Sequence, residues 1–458
     1  MTLPRLLRIT LLVIVVFTIV AAAWLWQDRP ITWSGDKQVS FGTGDSRLVD
    51  VKASASSSVV HLVWEDDREG STEVFYKRST DNGITWEADV KLTQLSSNTT
   101  EPAPRIAAFG GHVLVFFSNQ TVTGQHLFYS VSDDEGERFS DPIPLTADDG
   151  DQTNVAVAMV GNVVHVVWQS YFRGSSEVVY LRSLDAGSTW GEEISLTKTK
   201  TLDRHPAIFA TAQQVLTVWS RNEEGREAIF FRASTDSGTT WQPEVQLSEF
   251  SPLVFPLFPS VGSNGTHVHV VWNGAEVEYV RSADAGVNWD TPVPLTNSTR
   301  QYLAPEISVV ASLLQVVSPV ILTQGRNVTA YMYNLISFDG GNHWQQPLLL
   351  SSHKSALSLA PAISSRPDAT FVAWQDNRNG RFAIFVASKP DFTLLRSFGT
   401  QLAAQAGIVI AAAVIVLLLS QTKSFERVLS TKPETSNETQ KEARMIECTK
   451  KVGLTSAN

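Results

Sequence analysis

Two short stretches place opposite charges at the same spacing. "WEDDR" at 64–68 and "WQDNR" at 374–378 each put an Asp two residues, and an Arg four residues, beyond a Trp. Two guanidinium groups held close together can bind a carboxylate bidentately, so Arg68 and Arg378, with Asp66 and Asp376 beside them, are candidates for holding an anionic ligand. The plainer reading is two solvated surface ion pairs, which contribute little. These stretches lie near opposite ends of a long chain, so their chemistry depends on an architecture that joins those ends.

That architecture is a repeat. "STDNGITW" at 79–86 recurs as "SLDAGSTW" at 183–190 and "STDSGTTW" at 234–241. Looser copies stand at 132–139, 282–289 and 337–344. A period near fifty residues implies stacked or radially arranged units. Each unit holds a β-branched run ending in an aromatic, a polar loop, a second run such as "TEVFYKR" (72–78), the Asp turn, and a short run ending in Leu-Thr or Leu-Ser. With the strand that opens the next repeat this makes four strands, a propeller blade. The strand ends Trp64, Phe117, Trp168, Trp219, Trp272, Ser318 and Trp374 count seven units. The seventh lacks a fourth strand, and "TWSGDKQVSFG" at 32–42 reads as the missing one, closing the ring without a free edge. The expected fold is an all-β, seven-bladed β-propeller over 32–395, flanked by N- and C-terminal hydrophobic helices.

The six box carboxylates Asp81, Asp134, Asp185, Asp236, Asp284 and Asp339 read as structural. Asp side chains accept from backbone N–H groups of their own turn, Gly83 supplies a left-handed residue, and Trp86 can pack between neighbouring blades. The spaced carboxylates of a calcium loop are missing, so no metal is expected. No cofactor is expected either.

Strand alternation puts the Asp turns on one face, with the first-to-second strand turns. The opposite face carries the loops after the aromatic strand ends, and it is where a ligand is expected. Closure makes the first and last units neighbours, bringing Arg68 toward Arg378. Counting twelve residues back from each aromatic end aligns Lys52, Arg105, Ala156, Ala207, Ser260, Glu306 and Ala362 on the inner strands. Small residues suit a crowded channel wall, so the charged Lys52, Arg105 and Glu306 are candidates for function; a pairing of Arg105 or Lys52 with Glu306 across the channel is the structural alternative. Tyr76, Tyr129, Tyr180 and Tyr279 lie three residues before a box Ser and read as structural, leaving Tyr171 and Tyr302 in ligand-face loops.

The remaining sequence bounds the setting. The 458 residues carry a net charge of −10, which argues against a nucleic-acid partner. Cys448 is the single cysteine, so disulfides do not hold the fold. Residues 1–31 read as a signal peptide or signal anchor around the apolar run 9–26. Residues 401–421 read as a transmembrane helix, its uncharged run 402–420 followed by Lys423, Arg427 and Lys432, which places a polar tail, 422–458, in the cytoplasm. The ectodomain is then extracellular at the cell membrane. Asn-x-Ser/Thr triplets at Asn98, Asn119, Asn264, Asn297 and Asn327 suit that placement as glycosylation acceptors.

Ser-x-Asp-x-Gly-x-Thr-Trp is the Asp box, or BNR repeat, and over 32–391 the chain resembles the sialidase-like Asp-box propellers. The resemblance implies an arginine triad for a substrate carboxylate, a Tyr nucleophile activated by a Glu, and an Asp acid. The matching candidates are Arg68, Arg105 and Arg378, then Tyr302 with Glu306, then Asp66 or Asp67. The family's Phe/Tyr-Arg-Ile-Pro motif is absent. The nearest stretch is "PRIA" at 104–107, which carries Arg105 but follows the first box instead of preceding it. Sialidases of this type have six blades, against seven counted here. The leading expectation is therefore a monomeric, membrane-anchored propeller that binds glycans or surface proteins on the face opposite the Asp boxes. An exo-acting sialidase-like glycoside hydrolase comes second and a structural envelope protein third.

Overall fold

In the computed structural model the described residues are 33–390, save 56, 96–101, 148–149, 198–199, 252–255, 297–300, 326 and 353–355, and the side chains of residues 301, 302, 324 and 390. The two apolar terminal runs, the polar tail, Asn98 and Asn297 lie outside them. The described residues hold strands and no helix, so none is long and apolar enough to cross a membrane.

The strands form antiparallel meanders with one grammar. In the first unit Ser46–Ala53 pairs with Val60–Asp66, which pairs with Glu73–Ser79, which pairs with Val90–Lys91. Six more four-stranded meanders follow, opening with Arg105–Phe109, Asp151–Val160, Leu202–Ala210, Leu257–Ser263, Glu306–Val310 and Ser358–Arg366. The third and fourth meanders share a sheet through one parallel pair, Ser176 with Leu202. Gln301–Tyr302 adds a short strand to the sixth. The last meander takes its fourth strand from the chain's beginning, as expected: Lys37 stands opposite Val386 and Gln38 opposite Phe385. Val39 N–H donates to the Ile384 carbonyl and Ser34 N–H to that of Ser388.

Alternation along these strands sends apolar side chains into the spaces between meanders. Seven buried clusters result, each joining one unit to the next. Tyr76 and Val74 of the first unit meet Ile106 and Val115 of the second. Val317 and Met332 of the sixth meet Trp374 and Phe385 of the seventh. The cluster that joins the seventh to the first holds Phe371 and Ile384 with Trp64 and Phe75. The fold is all-β and propeller-like, with the first strand of each unit packed against the first strands of its neighbours around a central channel.

The Asp boxes behave as their sequence implies. Ser79 Oγ donates to Asp81 Oδ1 at 2.8 Å, and the same carboxylate accepts from Thr85 N–H (2.8 Å) and Thr85 Oγ1 (2.5 Å). Gly83 N–H donates to Ser79 Oγ at 2.8 Å. Asp185, Asp236 and Asp284 repeat this network with Thr189, Thr240 and Asn288, and Asp339 repeats it with His343. Asp134 keeps the backbone bond to Arg138 N–H. Each turn also donates one N–H to the first-to-second strand turn of its own unit, as Asn82 does to the Ser58 carbonyl, so the two turns share a face. The box aromatic packs on the preceding unit: Trp241 meets Tyr180 edge-on at 4.9 Å and Trp344 meets Tyr279 at 5.2 Å.

Candidate functional site

Arg68 and Arg378 do not form an open two-guanidinium clamp. Arg68 donates through Nε and Nη2 to Asp66 at 2.8 and 2.6 Å, and through Nη1 to Asp89 at 2.6 Å, with its guanidinium 4.4 Å above the Phe75 ring. Arg378 makes the same arrangement with Asp376, Asp36 and Phe385. A third copy stands where sequence comparison did not find it. Arg221 lies 4.1 Å above Phe230, between Asp203 and Glu244. There the carboxylate has moved from the second strand to the facing position on the first, opposite Arg221 in the register. In all three copies the outer acid stands one residue before the fourth strand. Each arginine therefore ties the end of its second strand to the edge of its own sheet. Asp66 and Asp376 are almost fully buried, and each also accepts from a serine, Ser46 or Ser358. Both carboxyls lie below their ordinary pKa: burial pushes them up, and the bonds from Arg68 and Arg378 more than offset it. Asp66 is thus an ionised structural acceptor, unlike a catalytic acid. Asp67 accepts from Asp45 N–H at 2.7 Å.

The inner strands are different. Seven residues stand at one level around the channel, each paired with the residue before its aromatic strand end: Arg105 with Phe116, Ala156 with Val167, Ala207 with Val218, Ser260 with Val271, Glu306 with Val317 and Ala362 with Ala373. In the first unit the residue so paired is Asp50, opposite Val63; Lys52 pairs with His61. This corrects the alignment of Lys52. The connection between the first two strands is two residues longer in that unit, so counting back twelve lands two places beyond the true equivalent. Because side chains alternate, Asp50 and Lys52 share the channel side, with Lys52 nearer the Asp-box face. Asp50 is the site residue that sequence reasoning missed, and the longer turn was the signal for it.

Asp50 is held in place by Val51 N–H and, across the unit boundary, by Ile106 N–H, both at 2.9 Å. Glu306 accepts from Ser260 Oγ at 2.8 Å. Burial pushes its pKa up, Arg105 and Ser260 pull it down, and Asp50 adds to the rise. The field of Arg105 thus reaches Glu306 from a non-adjacent unit. Lys52 has its pKa lowered by burial, opposed by Asp50. Neither Lys52 nor Arg105 makes a side-chain hydrogen bond or ion pair with another described residue, yet both retain partial exposure to the channel. The backbone of Tyr302 pairs with Val320 at the ligand-face end of the sixth unit, four residues before Glu306. Its side chain is among those not described. The Glu306 carboxylate is engaged with Ser260. No group of His, Cys, Asp or Glu among the described residues has the arrangement of a metal site.

Tyr76, Tyr180 and Tyr279 are structural. Their hydroxyls lie 2.7–2.8 Å from Nδ1 of His61, His165 and His269, and they pack against the next unit's box glycine. Tyr129 donates to the Gly187 carbonyl of the next box. Tyr171 lies at the end of the long second strand of the third unit and is exposed, as expected of a ligand-face residue.

Residues 63–256 match the family model of a BNR repeat-like domain. No curated protein matches the chain. Among solved structures it is similar to an ulvan lyase of a polysaccharide lyase family, at 12% identity over 76% of this chain and 95% of the lyase, with a TM-score of 0.55. The same lyase bound to -[GlcA(1-4)Rha3S]- gives 12% identity, 78% and 95% coverage and 0.54. Trypanosoma rangeli sialidase gives 13% identity, 82% of this chain, 61% of the sialidase and 0.44. At these identities the likeness to the lyase is one of fold. Six Asp-box turns, together with the matched repeat domain, make the chain similar to the sialidase-like BNR-repeat proteins.

Proposed function

We propose that this is a seven-bladed propeller, tethered to a membrane and lying outside the cell, that binds acidic glycans at the channel mouth opposite its Asp boxes. The observation that carries the proposal is the uncommitted charge of Arg105 and Lys52. The guanidiniums of Arg68, Arg221 and Arg378 are each saturated by two acids, whereas these two cations make no ion pair or side-chain hydrogen bond among the described residues and feel only the fields of Glu306 and Asp50. A cation left unpaired in a partly dry site gains most from an incoming anion, and a sugar carboxylate is such an anion. The lyase that shares the fold holds an anionic saccharide in its own complex, which is compatible with this reading. Tethering by 402–420, glycosylation at Asn119, Asn264 and Asn327, and action as a single chain belong to the same proposal.

Binding of the full chain to a panel of acidic oligosaccharides tests it. Arg105→Gln and Lys52→Gln are expected to weaken binding at least tenfold, roughly the loss of one charge-assisted hydrogen bond, with no turnover. Unchanged affinity in both variants would overturn the site. Hydrolysis of a fluorogenic sialoside, abolished by Tyr302→Phe, would instead favour the hydrolase reading, which draws on Glu306 and its raised pKa.

A further inference from the structure

Where the first strands meet the channel mouth, each passes through one left-handed residue. These are Leu48, Ala103, Asn154, His205, Phe258, Ala304 and Ala360, with φ between 33° and 51°. This conformation costs an L residue on the order of 1–2 kcal/mol, and three of the seven positions hold alanine. The fourth and fifth units instead place two rings there side by side. His205 and Phe258 have centroids 4.3 Å apart, tilted by 43°. Phe258 is 42% exposed and does not join the buried cluster between its unit and the fourth. Two residues further along its strand is Ser260, whose hydroxyl donates to Glu306. Arg105 belongs to the second unit, three units away around the ring.

We propose that His205 and Phe258 form a stacking platform for a pyranose ring of the glycan. The proposal rests on the acidic-glycan reading above and adds the position of the sugar. A pyranose has an apolar C–H face and a polar rim. Laid on the aromatic pair it turns its hydroxyls toward Ser260 and Glu306, and a carboxylate substituent toward the cations opposite. A small inorganic anion has no use for an exposed apolar face beside polar groups. Burial and the neighbouring Arg204 lower the His205 pKa to about 4, so its ring is neutral near pH 7 and suits an apolar surface.

The test is titration of the full chain in detergent with acidic oligosaccharides (hyaluronan, alginate, sialyllactose) and with uncharged cellohexaose. Wild type is compared with Phe258→Leu, Phe258→Tyr and Arg105→Gln. Leucine keeps apolar volume and removes the flat ring; tyrosine keeps the ring and serves as the folding control. Phe258→Leu is expected to weaken acidic-oligosaccharide binding about tenfold, the scale of one aromatic contact, while Phe258→Tyr stays within about twofold. Saturation of aromatic protons should transfer to the C–H protons of one sugar face, and that transfer should vanish in Phe258→Leu. If Arg105→Gln weakens binding and Phe258→Leu does not, the platform is refuted and the acidic-glycan reading stands. If cellohexaose binds equally well and depends on Phe258 but not on Arg105, the platform stands and the acidic reading falls. If no saccharide binds, both are overturned.

Discussion

The glycine of the Asp box seats a side chain of the neighbouring unit, and this can be measured by comparing two boxes. At Gly238 an added Cβ would lie 1.9 Å from the Tyr180 hydroxyl oxygen and 2.6 Å from Cζ. At Gly83 the nearest atom would be a Phe371 ring carbon at 3.4 Å, an ordinary contact. Both glycines are left-handed, at φ 82° and 76°, so alanine carries the same backbone cost of about 1 kcal/mol in each. The difference isolates the seat. Tyr180 is fully buried, its hydroxyl 2.8 Å from His165 Nδ1 and its ring edge-on to Trp241. Displacing it forfeits a buried hydrogen bond, about 1–3 kcal/mol, and overpacks the interface, about 1–3 kcal/mol more. Gly238→Ala should therefore cost about 3 kcal/mol more than Gly83→Ala. Urea unfolding followed by tryptophan fluorescence reads both, and Tyr180→Phe in the Gly238→Ala background should recover part of the loss. Equal losses within about 0.5 kcal/mol would show that the box needs glycine for its backbone alone.

Three further outcomes follow from the same geometry. Arg68→Gln should destabilise the protein by about 3 kcal/mol, because Asp66 is left buried without its cation, while acidic-glycan affinity stays unchanged; Arg105→Gln should show the reverse pattern when denaturant midpoints and binding are measured side by side. Replacing residues 33–40 by a Gly/Ser segment of equal length should lower the unfolding midpoint and speed cleavage of the last strand by protease, since Ser34, Val39 and Ser40 all bond that strand. His61, His165 and His269 have folded pKa values of about 3, 4 and 4 because burial disfavours their charge. Between those values and about 6.5 the unfolded chain binds the extra protons, so stability is fully present above pH 6.5 and falls as the pH drops toward 4, by up to about 3 kcal/mol per histidine; His165→Gln should flatten that slope in pH-dependent urea midpoints.

Features that repeat were legible in the sequence, and features that depart from the repeat were legible only in part. Ser79, Asp81, Gly83 and Trp86 interact within one turn or with the next unit, so their spacing encodes their contacts. The closing strand at 37–38 was recognisable because it copies the fourth strand of every other unit. Arg68 and Arg378 also repeat, and that was a warning: a pattern present in two units serves each unit, and the register shows Arg221 serving a third with its acid on a different strand. No one-dimensional pattern exposes that swap, since Asp203 and Arg221 meet only across the sheet. Asp50 was hidden for a related reason, a turn longer by two residues that moves the inner strand against the count.

The same logic locates the site. A ring of equivalent positions offers the channel seven copies of whatever one unit supplies, and a ligand without that symmetry has to be recognised by the copies that differ. At the inner level those are Asp50, Arg105, Ser260 and Glu306 against three alanines. At the mouth Leu48, Asn154, His205 and Phe258 stand against three alanines, and only His205 and Phe258 are aromatic. The departures at the two levels meet in the first unit, where Leu48 stands two residues before Asp50, and in the fifth, where Phe258 stands two residues before Ser260; only the fifth offers an aromatic ring. Two breaks in the repeat on a single strand are what a binding site would leave, and a purely architectural protein has no reason to keep the Phe258 ring exposed above a charged channel.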